Sequence, residues 1–184
     1  MRQKEVIPAG SEWKNKRIEE FPGSPFERIG AGWMLISAGD VSSDKGAWNT
    51  MTASWGSLGV LWQKNVAQVY IRKTRHTLGF VNDSGIFSLS FFGAAFRQAL
   101  NVCGADSGRD TDKAVKAGIT PIVFPDGAVG FKEAGEIIVC RKLYTHDFDP
   151  SRFLDPGIDT LHYPLKDYHR LFIGEITGYL VKEA

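Results

Sequence analysis

The chain has 184 residues, 43% of them hydrophobic and 23% charged, which is enough apolar mass for a buried core and points to a globular protein. Its 22 basic and 21 acidic side chains leave a formal charge of +1, so the basic excess of a phosphate-tracking protein is missing and nucleic acid is not an expected partner. No apolar run is long enough to cross a bilayer and the opening "MRQKEVIPAGSEWKNKRIEE" lacks a leader's apolar stretch, so the expectation is a cytoplasmic protein with no membrane partner.

No internal repeat, low-complexity tract or long linker divides the sequence, and a single domain over residues 1–184 is expected. In chain order, "GWMLISAGD" (residues 32–40) reads as a short apolar strand ending in turn residues. "WNTMTASWG" (48–56) holds no acid, base or thiol between its tryptophans. It suits either an amphipathic strand with a turn or a surface that binds something flat through its backbone. Residues 66–73 alternate Val66, Gln68 and Tyr70 with Ala67, Val69 and Ile71. A short helix follows, with Thr74 or Thr77 as its cap and Gly85 as its end. "GIFSLSFF" (85–92) puts Phe87, Leu89 and Phe91 on one face and Ile86, Ser88 and Ser90 on the other.

Two further short helices are predicted. "AAFRQALNVCG" places Phe96, Ala99, Leu100 and Cys103 on one face and stops at Gly104, and "DTDKAVKAG" runs from a capping Asp110 to Gly118. Strands return in "TPIVF", a turn at "PDG", "AVGF", "EIIVCRKLYTHDF" and "HRLFIGEITGYLVK". Antiparallel strands without regular β-α alternation favour a small barrel or sandwich over a Rossmann sheet, and a barrel hides the edges of many apolar strands.

Familiar catalytic patterns are absent. "GAGWML" starts like a dinucleotide loop, but Leu35 stands where the third glycine belongs and a strand follows. His76, His146, His162 and His169 lack compact metal-ligand spacing, so no metal site is expected, and no G-x-S-x-G elbow occurs. Cys103 and Cys140, far apart and outside any C-x-x-C pair, are expected as buried small hydrophobes. "YIRKTRHTLGF" brings Arg72, Lys73, Arg75, Thr74 and Thr77 to a predicted helix start. It reads as an anion site or as a solvated basic turn. "SGRDTDK" offers Ser107, Arg109 and Lys113 to a ligand or merely caps a helix.

Taken together and in order, "NTMTASWG", "IRKTRHT", "FSLSFF", "CGADSGRDTDK" and "YHRLFIGEI" resemble the flavin reductase-like, FMN-binding split-barrel family, in particular its flavoredoxin-type branch, from about residue 32 to 181. The resemblance implies a mainly β fold, a six-stranded antiparallel split barrel with a few short flanking helices, that pairs into a homodimer with FMN near the interface. It implies that Asn49, Thr50, Met51, Thr52, Ala53 and Ser54 face the isoalloxazine ring, with Trp55 at its border. Arg72, Arg75 and Thr77 match positions that hold the phosphate and ribityl chain, and Ser107, Gly108, Arg109 and Asp110 match a loop closing over the flavin. His169 matches a histidine beside the nicotinamide pocket, although a histidine that begins a strand is as often structural. The implied activity is hydride transfer between NAD(P)H and flavin. The alternative is a non-enzymatic FMN electron carrier working with a redox protein partner. Two features stand outside the compact pattern: an extension of about 25 residues at the N-terminus, and residues 145–168, a long loop that would cover the nicotinamide side or reach the partner subunit.

Overall fold

The computed structural model describes residues 5–6, 12–41 and 47–183. The strands are β1 (Glu5–Val6), β2 (Trp13–Asn15), β3 (Met34–Gly39), β4 (Trp48–Ala53), β5 (Gly56–Leu61), β6 (Lys64–Arg72), β7 (Ile86–Phe91), β8 (Pro121–Val123), β9 (Val129–Phe131), β10 (Glu136–Asp147) and β11 (His169–Lys182). Among the described residues four α-helices accompany them: α1 (Thr77–Asp83), α2 (Arg97–Ala105), α3 (Lys113–Ala117) and α4 (Pro156–His162). None of the described helices is long and apolar enough to cross a membrane.

The main sheet is antiparallel and runs β4-β3-β7-β10-β11-β6-β5, with β2 added alongside β11. Its two outer strands, β4 and β5, are consecutive in the chain and separated only by Ser54 and Trp55. A strand that serves both ends of one sheet curls that sheet into a barrel. With β4 and β5 counted as one bent strand and β2 set aside, the main sheet has the six strands expected; counted individually it has eight. Gly56 leaves the bend little spare room: a Cβ there would stand 2.9 Å from Met34 Cε and 3.0 Å from the Gln68 carbonyl.

Period-two alternation explains the core. Met34, Ile36 and Ala38 join Ala67, Val69 and Ile71, and Phe87, Leu89 and Phe91, in one buried cluster inside the barrel. On the opposite face, Leu35, Ile137 and Val139 pack against Ala99, Leu100 and Cys103 of α2 and against Phe131. Each fully buried Leu, Ile or Phe contributes roughly 1.5–3 kcal/mol, so the second cluster holds α2 firmly on the barrel wall. The serine face of β7 lies in this second layer, with Ser88 and Ser90 wholly buried and the Ser88 hydroxyl donating to the Val129 carbonyl. Both cysteines are free and buried, as expected, and burial pushes the Cys103 thiol up to about 11 and the Cys140 thiol higher still.

Helix ends differ from the expectation in detail. α1 follows His76 without any side-chain cap, so neither Thr74 nor Thr77 caps it, and it closes at Ser84 rather than Gly85. α2 runs through Gly104 to Ala105 because Ala99, Leu100 and Cys103 keep its last turns docked. α3 is capped by Asp112, whose Oδ1 accepts the Val115 N–H at 3.1 Å, and Asp110 stays in the preceding loop. Gly118 ends α3 with φ 69°, as expected.

Before residue 26, Trp13 meets Phe124 edge-on at 5.9 Å, and Phe21 packs on Phe91 and Tyr179 at 5.2 and 5.8 Å. The described part of the N-terminal stretch is therefore tied to the barrel. Of residues 145–168, the first three belong to β10. The rest carry the 3-10 turn Pro150–Arg152 and α4, which starts with Asp155 accepting the Gly157 N–H at 2.8 Å and Pro156 in the first turn.

Candidate functional site

Within the main sheet β4 pairs only with β3, so alternate residues along it turn their N–H and C=O groups away from the sheet. Thr50 is one of these: its carbonyl accepts Lys113 Nζ at 2.7 Å. By alternation Thr52 turns the same way. Hollows lie on both sides of this free edge. A polar pocket of about 170 Å³ is lined by Met51, Thr52, Ala53, Ser54 and Trp55 together with Tyr70, Arg72, Arg75 and His169. A second cavity of about 350 Å³ is lined by Trp48, Asn49 and Thr50 facing Gly108, Arg109, Asp110 and Lys113. Every residue from Trp48 to Trp55 thus borders one hollow or the other.

Most of the residues singled out from sequence converge here; Thr77 and Ser107, and Lys73 and Thr74 of the basic turn, do not line either hollow. Thr77 is 1% exposed, and its hydroxyl accepts the Asn49 side-chain N–H at 3.0 Å. It orients Asn49 and is not itself open to a ligand. The Ser107 hydroxyl accepts the Arg109 N–H at 3.2 Å and shapes its loop. Gly108 comes so close to Asn49 that an added Cβ would lie 2.2 Å from Asn49 Oδ1.

Three side chains around the edge strand are anchored on α2, two of them on its last turn. Thr52 Oγ1 donates to the Leu100 carbonyl at 2.5 Å, Lys113 Nζ to Cys103 at 3.1 Å and Arg75 Nη1 to Gly104 at 2.6 Å. The last carbonyls of a helix lack intrahelical partners and carry the negative end of its dipole, which accounts for two cations meeting there. Lys113 is 6% exposed, and burial lowers its pKa. Its two carbonyl partners satisfy the buried ammonium.

Arg72 and His169 are register partners across β6 and β11. Arg72 pairs with Asp167 at 2.7 Å, donates to the His162 carbonyl at 2.9 Å and lies over the Tyr163 ring at 5.1 Å. The Tyr163 hydroxyl hydrogen-bonds to His169 Nδ1 at 2.8 Å. Residues 148–168 therefore close over this corner and spend much of the Arg72 guanidinium in doing so. His169 is 6% exposed; burial first, and the Arg72 charge second, lower its pKa to about 4, so it is neutral at pH 7. Trp55, 41% exposed, meets the His169 ring at 5.1 Å and the His162 ring at 5.4 Å, while Trp48 packs on Phe131.

Tyr70, Tyr163 and Asp167 were not identified from sequence. Tyr70 falls in an alternating strand and looks like any outward residue there. Tyr163 and Asp167 reach the site only through the path of the excursion, and no local pattern points to either residue.

A third hollow of about 470 Å³ adjoins the polar pocket and shares Ser54, Trp55 and Tyr70 with it. Its other walls include Phe26, Ile29, Leu58 and Phe148.

Comparison with known proteins agrees with this architecture. The FMN-binding domain of a flavin reductases-like enzyme from Shewanella baltica OS155 superposes with a TM-score of 0.64 at 18% identity, over 92% of this chain and 77% of that one. Flavoredoxin of Desulfovibrio vulgaris (Miyazaki F) gives 0.62 at 23% identity, covering 82% and 69%. The NADH:FAD oxidoreductase SgcE6 of Streptomyces globisporus C-1027 gives 0.59 at 14% identity, covering 82% and 80%. These likenesses establish the fold. No curated protein matches the sequence. The model of the flavin reductase like domain matches residues 26–184, and the chain belongs to that family.

Proposed function

We propose that this protein binds FMN along both flanks of β4 and passes hydride equivalents from NAD(P)H to flavin or another acceptor. The carrying observation is the continuous bordering of two hollows by Trp48 to Trp55, with Arg72, Arg75 and His169 on one side and the loop bearing Gly108 to Asp110 on the other. The residues present fit the group. A buried heterocycle needs hydrogen bonds at its carbonyls and ring nitrogens, and the free edge of β4 offers peptide groups at close approach beside the small side chains of Ala53 and Ser54. The cavity of about 350 Å³ lies within the range of roughly 300–1,000 Å³ usual for ligand sites.

Bound FMN supplies the hydride-accepting ring that side chains lack. The chain's own part is binding and orientation. Arg75, anchored on the Gly104 carbonyl, and Arg72 supply positive charge for a phosphate. Asn49, fixed by Thr77, and the loop at Gly108 close the other flank. Neutral His169 offers an uncharged hydrogen-bonding ring at the pocket floor, held by Tyr163. The family resemblance further supports pairing of two copies, which light scattering tests.

A second reading, an FMN electron carrier serving a protein partner, draws on one observation. Residues 148–168 close over His169, the side on which a nicotinamide would approach. The deciding experiment is to purify the protein, identify any flavin from its absorbance, and titrate it anaerobically with NADH and NADPH. Bleaching of the flavin by either supports the reductase reading, and a yellow protein inert to both supports the carrier. A colourless protein that takes up no added FMN defeats both.

A further inference from the structure

The cleft of about 470 Å³ beside the polar pocket differs from it in chemistry. Its lining contains no Lys, Arg, His, Asp or Glu, whereas the polar pocket holds Arg72, Arg75 and His169. Phe26, Ile29, Trp55, Leu58 and Phe148 make the walls, and Ser54, Ser57 and Tyr70 are its three hydroxyl-bearing residues. The two hollows share Ser54, Trp55 and Tyr70, so a molecule in the cleft lies against the same corner of the bent strand as a molecule in the pocket.

A phosphate-bearing molecule such as NAD(P)H or free flavin nucleotide would find no cation in this cleft, and a charge buried without a partner is strongly disfavoured. An uncharged planar molecule gains from the apolar walls and needs only one or two hydrogen bonds at its polar end. Ser57 lines the cleft with a hydroxyl that can donate to a carbonyl oxygen, while the Tyr70 hydroxyl donates to Gln68 Oε1 at 3.2 Å and does the same only by giving up that long bond. We propose that this cleft is the electron-acceptor subsite and that it takes an uncharged, planar quinone rather than a nucleotide.

The proposal rests on the reductase reading for its electrons but not for binding. The reaction balances as NAD(P)H plus a solvent proton plus quinone giving NAD(P)⁺ plus hydroquinone: the quinone oxygens gain two electrons and two protons, and the nicotinamide loses a hydride.

Equilibrium dialysis of the purified protein, with whatever flavin it carries, against 1,4-naphthoquinone and against its 2-sulfonate tests the idea. The expected result is saturable, reversible binding of the neutral quinone about tenfold or more tighter than the sulfonate. Both cysteines are buried, so thiol addition should not mimic binding. Phe26→Asp and Ser57→Asp should each weaken naphthoquinone binding by about tenfold with the flavin spectrum unchanged. Phe26 is 90% exposed, so that variant should fold even if Ser57→Asp does not. The proposal is overturned by absence of saturable binding, by equal binding of the sulfonate, or by binding that a folded Phe26→Asp protein retains in full. It is also overturned if Phe26→Asp splits a dimer without changing quinone binding, which would make the cleft a contact between copies. Loss of the reductase reading would appear separately, as a protein that binds quinone but holds no flavin, or whose flavin neither NADH nor NADPH bleaches.

Discussion

His169 gives a stability prediction that follows from its surroundings. Its pKa falls from 6.5 to about 4 on folding because the ring is buried and lies near Arg72. The unfolded chain therefore binds a proton more readily, and the contribution of the neutral ring is complete above pH 6.5 and lost as pH falls toward 4. At about 1.4 kcal/mol per pH unit, lowering the pH from 7 to 5 should cost the wild type about 2 kcal/mol through this residue alone. Asp147, whose carboxyl is held well below the usual range by Arg170, loses its contribution only at lower pH. His76 also has a lowered pKa, but its effect is common to the wild type and a His169 variant. Urea unfolding at pH 7 and pH 5, compared between wild type and His169→Gln, isolates the difference. The wild-type midpoint should drop by about 1 M more than that of the variant. If the two proteins lose stability in parallel over this interval, His169 is not held neutral by burial and the geometry drawn around Tyr163 is wrong.

Three further outcomes are expected. Arg72→Ala should weaken FMN retention by about ten- to a hundredfold, the equivalent of one charge-assisted hydrogen bond. Because that guanidinium also holds Asp167 and His162, limited proteolysis should cut residues 148–168 faster than in the wild type; unchanged flavin retention removes Arg72 from the site. Lys113→Met should lower the unfolding free energy by about 1–3 kcal/mol, since it leaves the carbonyls of Thr50 and Cys103 without the ammonium they now share. An unchanged urea midpoint would contradict this. Gly108→Ala, whose new Cβ would collide with Asn49 Oδ1, should reduce FMN affinity by about tenfold or more in a flavin-absorbance titration while leaving the barrel folded.

The barrel was legible because its strands obey the period-two rule where one face meets the core. "GIFSLSFF" placed Phe87, Leu89 and Phe91 on the inner face correctly, and "HRLFIGEITGYLVK" matches β11 end to end. The bend at Ser54 and Trp55 was open to two readings, since closure comes from the pairing of β5 with β6 and the packing of Gly56 near Met34, which lie apart in sequence. Helix caps were less legible. "DTD" offers two aspartates, and Asp112 is the cap because α3 starts at Lys113 and puts the Val115 N–H within its reach. α4 did carry a local signal, Asp155 followed by Pro156, in a segment read only as a loop. The candidate site was legible as an ordered set of short motifs, but the work of single residues was not. Thr77 orients Asn49, and Arg72 divides its guanidinium between the pocket and the excursion.

The end of α2 carries an implication for how this site can be damaged. Thr52, Arg75 and Lys113 belong to separate parts of the chain, yet all three fasten to carbonyls within the last turns of that helix. Fraying of the last turn would release the arginine loop and the buried lysine, and fraying one turn further would release the edge strand as well. Substitutions that loosen α2 at Ala99 or Leu100, whose side chains point into the core on its barrel side, should therefore register as loss of ligand before they register as loss of fold.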